Sequence, residues 1–465
     1  MGARLKNRVI LWKNNAIGST KSKRLLAAQL RRRNLQIIRL EKEVARLKQI
    51  TEPVSVANHS YPAQLITLAV FIVVHANGSL RGAAKIIAYV SRMMGWDYAQ
   101  PSHTTIRRWV LRSGLYLLEH GKAKSGDYVG IIDESIQIGK EKLLLFLGVK
   151  LSPDQSLAAP LTMADTEVLG MEVQQSWTGE EVSDFITDRL DHHQGIQLKY
   201  MISDKGTNLL AALRTLGIAH VSDCSHMLMN IVKKLFCEDK ELSEFCSQIS
   251  GLRQRYLLTD LGFLLPSTLR DKDRFLRIFT LLDWVDRIDS YWNNLSRAQR
   301  SPLAFVKQSK PLLRCLRQIR DITSMTAKIL KSAGLSPISH QIWQTKLSQY
   351  RKGKRMTKQA RRLIECIQNY FEKHEQLVTD HQRLLCCSDI IESTFGHYKN
   401  KGGMPVISAD VLGLTLLRQD ITSSFIQQAL ETVRQQDVEE WQQRFTCDNR
   451  YSLIRRMNQE LKSVA

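Results

Sequence analysis

The spacing of apolar residues in the first part of the chain predicts helices. Between residues 26 and 47, apolar side chains recur at the two core positions of a heptad pattern that Arg33 interrupts. This pattern predicts a short helix with an apolar seam. The helix could pack on its own domain, or it could form a basic coiled coil that dimerises or follows DNA. Residues 62–118 carry three further amphipathic stretches, which predict a compact helical unit whose third helix begins at Ser102, a favourable N-cap residue.

The pattern changes to short apolar runs between residues 127 and 222, with two amphipathic stretches among them. We expect five strands and two helices in the order β-β-β-α-β-α-β. The first three strands should be antiparallel, and the later crossovers require parallel pairing. The strands are expected at residues 127–138, 142–151, within 157–176, 198–203 and 218–222, and the helices from Thr178 to about residue 191 and over 207–216.

The rest of the chain is predicted to be mainly helical. Residues 226–385 are amphipathic at helical spacing, with turns near four prolines, and a further helix begins in residues 386–400. We therefore expect an α+β multidomain protein in which a mixed β-sheet is followed by a long all-α region. The expected units are a basic helix or coiled coil (1–52), a helical unit (53–120), the sheet region (121–225), the all-α region (226–385), and a further helix with C-terminal helices (386–465).

The charge of the chain indicates the class of its partner. It carries 67 Lys and Arg residues against 45 Asp and Glu residues, a formal charge of +22. Such a surplus favours a polyanion, with nucleic acid ahead of an anionic membrane surface. No apolar run approaches the ~20 residues that span a bilayer. The cysteines are scattered and include no C-x-x-C pair. We therefore expect a protein of a reducing, cytoplasmic compartment with no membrane partner.

Three acids fall at informative places on this pattern. Asp133 lies on the first expected strand, Asp204 closes the fourth, and Glu392 lies on the late helix, where Asp389 is the alternative third acid. The expected order of strands and helices is that of an RNase H-like core. With these acids, the sequence resembles the DDE transposase/retroviral integrase superfamily. The 188 positions between the second and third acids resemble the all-helical insertion that some members carry before the last acid.

This resemblance implies a metal-dependent polynucleotidyl transferase. In that family such acids hold two Mg²⁺ ions, with Mn²⁺ as a substitute, because hard cations prefer carboxylate oxygens and two of them require several negative charges nearby. Asp223 and His226 fit a C/D-x-x-H signature of some members, which implies that His226 lies near the scissile phosphate. Lys399 follows Glu392 by about two helical turns, a spacing at which many members carry a cation.

DNA contacts are expected at further groups of polar residues. The third helix of the unit 53–120 resembles the recognition helix of a helix-turn-helix DNA-binding domain, whose hydroxyl and guanidinium groups reach base edges and phosphates. The basic N-terminal helix and an acid-free run at 346–362 offer cations to phosphates, although a solvated surface is the alternative for that run. The expected DNA-binding residues are Thr104, Thr105, Arg107, Arg108, Arg31, Arg32, Arg33, Lys352, Lys354, Arg355 and Lys399.

Together these features predict a DDE transposase of a bacterial insertion sequence, associated with the nucleoid, that binds transposon ends and cleaves and joins DNA. Two alternatives stay open. One is a domesticated, transposase-derived DNA-binding protein without cleavage activity, and the other is a different RNase H-like nuclease, such as a Holliday-junction resolvase. Because joining two DNA ends takes two active sites, we expect a homodimer or higher oligomer on double-stranded DNA, both at the ends and at the target.

Overall fold

The protein is α+β, as the spacing of its apolar residues predicts. The computed structural model describes residues 7–11, 32–42, 54–96, 98–138, 141–151, 161–266, 278–378, 383–399 and 407–446, with a few isolated positions beyond 446. One mixed five-stranded sheet follows an N-terminal helical unit and precedes a long helical region.

The N-terminal unit contains three helices at the predicted places. They are α1 (Ala63–Val74), α2 (Leu80–Met93) and α3 (His103–His120). Ser79 and Ser102 cap α2 and α3, because each hydroxyl accepts a backbone N–H three residues further on, at 3.0 and 3.1 Å. Trp109 of α3 is buried against the other two helices. These serines and the apolar spacing therefore determine where the two helices start and which side faces inward.

The sheet and its connecting helices follow the predicted β-β-β-α-β-α-β order. In chain order they are β1 (Gly126–Ile138), β2 (Glu141–Lys150), β3 (Glu167–Gln174), α4 (Gly179–His192), β4 (Ile196–Ser203), α5 (Thr207–Thr215) and β5 (His220–Ser222). The strands lie in the spatial order β3-β2-β1-β4-β5. The pairs β1/β2 and β2/β3 are antiparallel, and β1/β4 and β4/β5 are parallel. The helices α4 and α5 return the chain before each parallel strand, as parallel pairing requires.

Alternation along β1 separates the two faces of the sheet. Ile131 belongs to the larger core, which the sheet shares with the helices that follow β5, whereas Ile132 belongs to a smaller core under α4 and α5. Asp133 therefore faces the side of the later helices. Glu134 faces α5, where Asn208 donates a hydrogen bond to its carboxylate. The two adjacent acids of β1 thus point to opposite faces.

The region after the sheet is helical, as predicted for the insertion. Its helices are α6 (Cys224–Phe236), α7 (Lys240–Tyr256), α8 (Ile278–Tyr291), α9 (Arg297–Arg300), α10 (Ala304–Gln308), α11 (Lys310–Ala333), α12 (Pro337–Arg351) and α13 (Lys358–Glu375). Pro311 and Pro337 lie in the first turns of α11 and α12, where a missing N–H is harmless. Trp284 and Trp343 are buried, and their indole N–H groups donate to oxygen acceptors at 2.7 and 2.9 Å, so both are core residues.

The C-terminal segment contacts both the sheet and the N-terminal unit. Its elements are α14 (Asp389–Lys399), a 3₁₀ helix (Ala409–Arg418), α15 (Ser423–Thr432) and α16 (Gln435–Phe445). The helix α14 packs against β1, whereas α15 packs on α1 and α3 and adds Phe425 and Ile426 to their core. A Cβ on Gly114 of α3 would lie 2.2 Å from the carbonyl oxygen of Leu412, so glycine permits the close approach of α3 and the 3₁₀ helix.

Part of the predicted heptad helix lies among the described residues. Residues 32–42 are helical and exposed on all sides, including Leu35 and Leu40, which are 68% and 56% exposed. The remainder of the heptad stretch, with Arg31, lies outside the described residues. Within the described part of the chain, no helix combines the length and the apolar character needed to cross a membrane.

Candidate active site

Two of the predicted acids lie side by side at the centre of the sheet. The strands β1 and β4 are parallel neighbours in which Ile131 is paired with Ile202, so Asp133 and Asp204 occupy corresponding positions two residues further on. Asp133 is only 6% exposed. Asp204 begins the turn after β4, where its Oδ1 accepts the N–H of Gly206 at 2.7 Å. The parallel pairing therefore brings together two carboxylates that are 71 positions apart in the sequence.

The third acid and the predicted histidine come from two helices beside these two acids. Glu392 lies in the first turn of α14, which packs against β1. His226 lies in the first turn of α6, and its Nε2 is 3.8 Å from Oε1 of Glu392. Both side chains are partly exposed, at 46% for Glu392 and 36% for His226. The buried strand acids and the more exposed helix residues thus form a site that is open to solvent on one side.

The electrostatics of Asp133 connect all four of these residues. Burial, followed by the negative charges of Asp204 and Glu392, raises the pKa of Asp133 to about 7. His226 opposes this increase, and Asp223 adds to it. Charges influence one another to this extent only when they are close in a poorly solvated environment. The structure therefore places the four residues predicted for catalysis in one electrostatic neighbourhood.

The carboxylates of Asp133, Asp204 and Glu392 form a donor set that fits small hard cations. Carboxylate oxygens are the ligands that Mg²⁺ prefers. Among the described residues, Asp133 and Asp204 form no ion pair with Lys or Arg. The negative charge around Asp133 is therefore not neutralised by a lysine or arginine of this part of the chain. Bound cations would neutralise it, so the residues present are suited to hold them.

The three predicted acids are not the most compact group of ligand-bearing side chains. In the described part of the chain, the only three ligand-bearing side chains whose donor atoms all lie within 4.8 Å of one another are Asp223, Cys224 and Cys387.

Asp389, the alternative third acid, has another partner. Its carboxylate forms an ion pair with Lys331 and accepts the hydroxyl of Ser225 at 3.2 Å. Although burial opposes the change, the hydrogen bond and positive charge of Lys331 lower the pKa of Asp389. The charge of Glu392, in contrast, acts on Asp133. The geometry therefore favours Glu392 over Asp389 as the third acid.

Asp223 has a role that the sequence analysis did not assign. Its Oδ1 accepts the N–H of His226 at 2.6 Å, and its Oδ2 accepts the N–H and the hydroxyl of Ser388 at 2.6 and 2.9 Å. The carboxylate is 1% exposed, and it joins the start of α6 to the residue that precedes α14. The D-x-x-H spacing predicts the hydrogen bond from the N–H of His226 to Asp223, because an N-cap Asp accepts an N–H three residues further on. Ser388 is too distant in sequence for any spacing to reveal it.

The group formed by Asp223, Cys224 and Cys387 is already satisfied by protein contacts. Both oxygens of the carboxylate accept hydrogen bonds. A hydrogen bond with Cys386 and burial raise the pKa of Cys224, and a hydrogen bond with Cys224 raises that of Cys387. These cysteines are therefore protonated thiols that pack between α6 and the start of α14.

The predicted DNA-binding residues of α3 are of two kinds. Thr104 is exposed and Thr105 half-buried, and their hydroxyls lie 2.7 and 2.9 Å from that of the N-cap serine. Arg108 is exposed. Arg107 forms a bidentate ion pair with Asp410, at 2.8 and 3.3 Å, which ties α3 to the 3₁₀ helix. A contact of any of these residues with DNA stays a prediction.

The other predicted DNA-binding residues of the described chain are exposed cations. Lys399 lies at the end of α14, with its Nζ 5.9 Å from the ring centroid of Phe395. The exposed cations outside α14 are Arg32 and Arg33 on the helix 32–42, and Lys352, Lys354 and Arg355 in the turn between α12 and α13.

No protein-family model matches this chain, and no curated protein sequence matches it.

Proposed function

We propose that the protein is a DDE-type transposase with an RNase H-like catalytic core. One observation carries the proposal: Asp133, Asp204 and Glu392 converge where β1, β4 and α14 meet. There the charges of Asp204 and Glu392 help to raise the pKa of the buried carboxyl of Asp133. The strand order β3-β2-β1-β4-β5 supports an RNase H-like core, because it places the first and fourth strands side by side. The formal charge of +22 supports a nucleic-acid substrate.

Each residue of the site has a defined part in this proposal. Mg²⁺ ions, or Mn²⁺ in their place, would supply charge stabilisation and an activated nucleophile for DNA cleavage and strand transfer. Asp133 and Asp204 hold their carboxylates on adjacent strands, and Glu392 adds the third from α14. His226 orients the scissile phosphate with its Nε2, and the bond from its N–H to Asp223 fixes the start of its helix.

The proposal also assigns how DNA is held. Thr104, Thr105 and Arg108 at the start of α3 contact the transposon end, and Lys399 holds a phosphate beside Glu392. Joining two ends takes two active sites, so the acting form is a homodimer or higher oligomer. The exposed apolar residues of the helix 32–42 are the proposed contact between subunits, because each is at least half exposed to solvent in the described structure.

The test compares two carboxylates that lie three residues apart in α14. Glu392→Gln should lower Mg²⁺-dependent nicking and strand transfer by about 10²-fold or more, because an essential charged group is lost. Asp389→Asn is the matched control and should retain activity within about tenfold, because Asp389 pairs with Lys331 instead. Binding of labelled end DNA should be similar for both variants.

Four results would contradict the proposal. Full cleavage activity of Glu392→Gln, or equal loss in both variants, would remove Glu392 from the site. DNA binding by the wild-type protein without cleavage in Mg²⁺ or Mn²⁺ would favour a DNA-binding protein derived from a transposase. Cleavage of branched DNA without strand transfer would favour another RNase H-like nuclease.

A further inference from the structure

A second concave surface lies in the helical insertion, and its lining includes none of the four residues predicted for catalysis. A pocket of about 580 Å³ opens between α11 and the turn that joins α12 to α13, with α8 and α10 at one side. We call it the insertion pocket. Its acids are Asp289 and Asp321. Its cations are Lys307, Lys310, Arg314, Arg317, Lys354 and Arg355.

The charges of the insertion pocket do not balance. Lys307 lies 2.6 Å from Asp289, and Arg317 lies 3.2 Å from the same carboxylate. Asp321 accepts the hydroxyl of Tyr350 at 2.9 Å. The other four cations of the pocket form no ion pair with any carboxylate in the described part of the chain. Four cations without an ion pair therefore face one concavity, and the carboxylate of Asp321, which lies there too, is 3.7 Å from Arg320.

The turn that carries two of these cations is held in place. Gln318 of α11 is only 6% exposed. Its amide donates to the carbonyl of Arg355 at 3.0 Å, and its Oε1 accepts the N–H of Thr357 at 2.9 Å. Gly353 adopts the left-handed conformation, with φ of +71°, which a residue with a side chain rarely adopts. A buried amide and a glycine thus fix the turn against α11.

Local geometry brings three of these cations to the pocket. Nζ of Lys354 lies 3.7 Å from the ring centroid of Tyr350, a cation–π contact that keeps the ammonium over the pocket. Lys310 and Arg314 are exposed and one turn apart, so they share a face of α11. Like charges at this spacing destabilise a helix. A bound polyanion would relieve this repulsion.

We propose that the insertion pocket binds the phosphate backbone of double-stranded DNA. Four cations without ion pairs around one concavity suit a row of phosphates, which a duplex presents at regular intervals along each strand. The inference rests on the proposed function, since this DNA belongs to the substrate of the transposase. The proposal gives the residues of the basic run 346–362 different roles. Lys354 and Arg355 line the pocket, whereas Arg361 and Arg362 are exposed on α13 outside it.

The experiment measures binding of the full-length protein to labelled duplex DNA by fluorescence anisotropy, at several salt concentrations and in EDTA. Lys310→Ala with Arg314→Ala removes two cations from the pocket. The matched control, Arg361→Ala with Arg362→Ala, removes two exposed arginines from the same basic run. Two phosphate contacts account for about 1.8 of the slope of log affinity against log salt, so the pocket variant should bind between about tenfold and sixtyfold more weakly near 0.1 M salt. The control should lose less than about threefold.

Each outcome has one meaning. Equal losses of DNA affinity in the two double variants would show that DNA is attracted by the basic surface as a whole, and would overturn the proposal that the pocket binds it. Unchanged binding of the pocket variant would also overturn it while leaving the proposed function intact. A wild-type protein that binds no duplex would refute the proposed function together with the pocket. Tripolyphosphate serves as a second probe, and tight one-to-one binding that the pocket variant loses, with its DNA affinity unchanged, would assign the site to free polyphosphates instead. Lys310 and Arg314 are exposed, so thermal unfolding should show a stable fold in both variants.

Discussion

The environment of Asp133 predicts that an isosteric neutral residue stabilises the protein in the absence of divalent cations. Asp133 is nearly buried, and the charges of Asp204 and Glu392 oppose its ionisation. In Asp133→Asn the side chain keeps its size but carries no charge at any pH. The folded protein then avoids a buried negative charge beside two others.

The magnitude and its pH dependence follow from the pKa of this carboxyl. In the folded protein that pKa is about 7, above the ordinary value of 3.8. Below about pH 3 the carboxyl is mostly protonated in both states, so it does not lower the free energy of unfolding. As the pH rises towards 7, the unfolded chain ionises more readily and the wild-type protein loses stability. At about 1.4 kcal/mol for each pH unit, the full loss amounts to about 4 kcal/mol above pH 7.

The assay is urea unfolding in EDTA at two pH values. Asp133→Asn should gain up to about 4 kcal/mol over the wild type at pH 8 and less than about half of that at pH 5. Glu134→Gln is the control on the same strand, since the carboxylate of Glu134 lies 3.1 Å from Nζ of Lys142 and loses a partner when neutralised. It should show no gain at either pH. An Asp133→Asn protein that gains nothing at pH 8, or gains equally at both pH values, would refute this reasoning. Added Mg²⁺ should narrow the difference by stabilising the wild type alone.

Two further substitutions test the framework around the site. Asp223→Ala removes three hydrogen bonds and leaves the N–H groups of His226 and Ser388 without their acceptor. It should lower the free energy of unfolding by about 3 kcal/mol or more, and a variant as stable as the wild type would contradict the joining role of this carboxylate. Gly114→Ala places a Cβ 2.2 Å from a carbonyl oxygen and should cost about 1–3 kcal/mol. Gly251→Ala meets no atom closer than 3.7 Å and should be neutral or stabilising by up to about 1 kcal/mol in the same unfolding measurement.

Much of the fold follows from local patterns in the sequence. The strands of the sheet are short apolar runs, and their order with two amphipathic helices leaves few ways of pairing them. Asp133 and Asp204 are recognisable because each interrupts or ends such a run. The strands β1 and β4 are parallel neighbours, so these two positions lie side by side. Ser79 and Ser102 identify the starts of two helices for a similar reason, since a cap and its partner lie three residues apart.

Contacts between distant segments could not be predicted in this way. The choice between Glu392 and Asp389 depends on Lys331, which reaches only one of them in the folded protein. The ion pair of Arg107 with Asp410 joins residues 303 positions apart. The basic run 346–362 is visible in the sequence, but which of its cations face a pocket depends on how α11 packs beside it. These features arise from tertiary packing, and no periodicity in one segment records the identity of its neighbour.

The helix α3 has a consequence for dividing this protein into pieces. Ile106, Trp109 and Val110 belong to the core that α3 shares with α1, α2 and α15, whereas Leu111, Leu115 and Leu118 belong to the core under the sheet. A fragment that ends near residue 120 would expose the apolar flank of α3 to water and would also lack α15. Such a fragment should aggregate when expressed alone. A useful truncation must keep the early helices, the sheet and the returning C-terminal residues together.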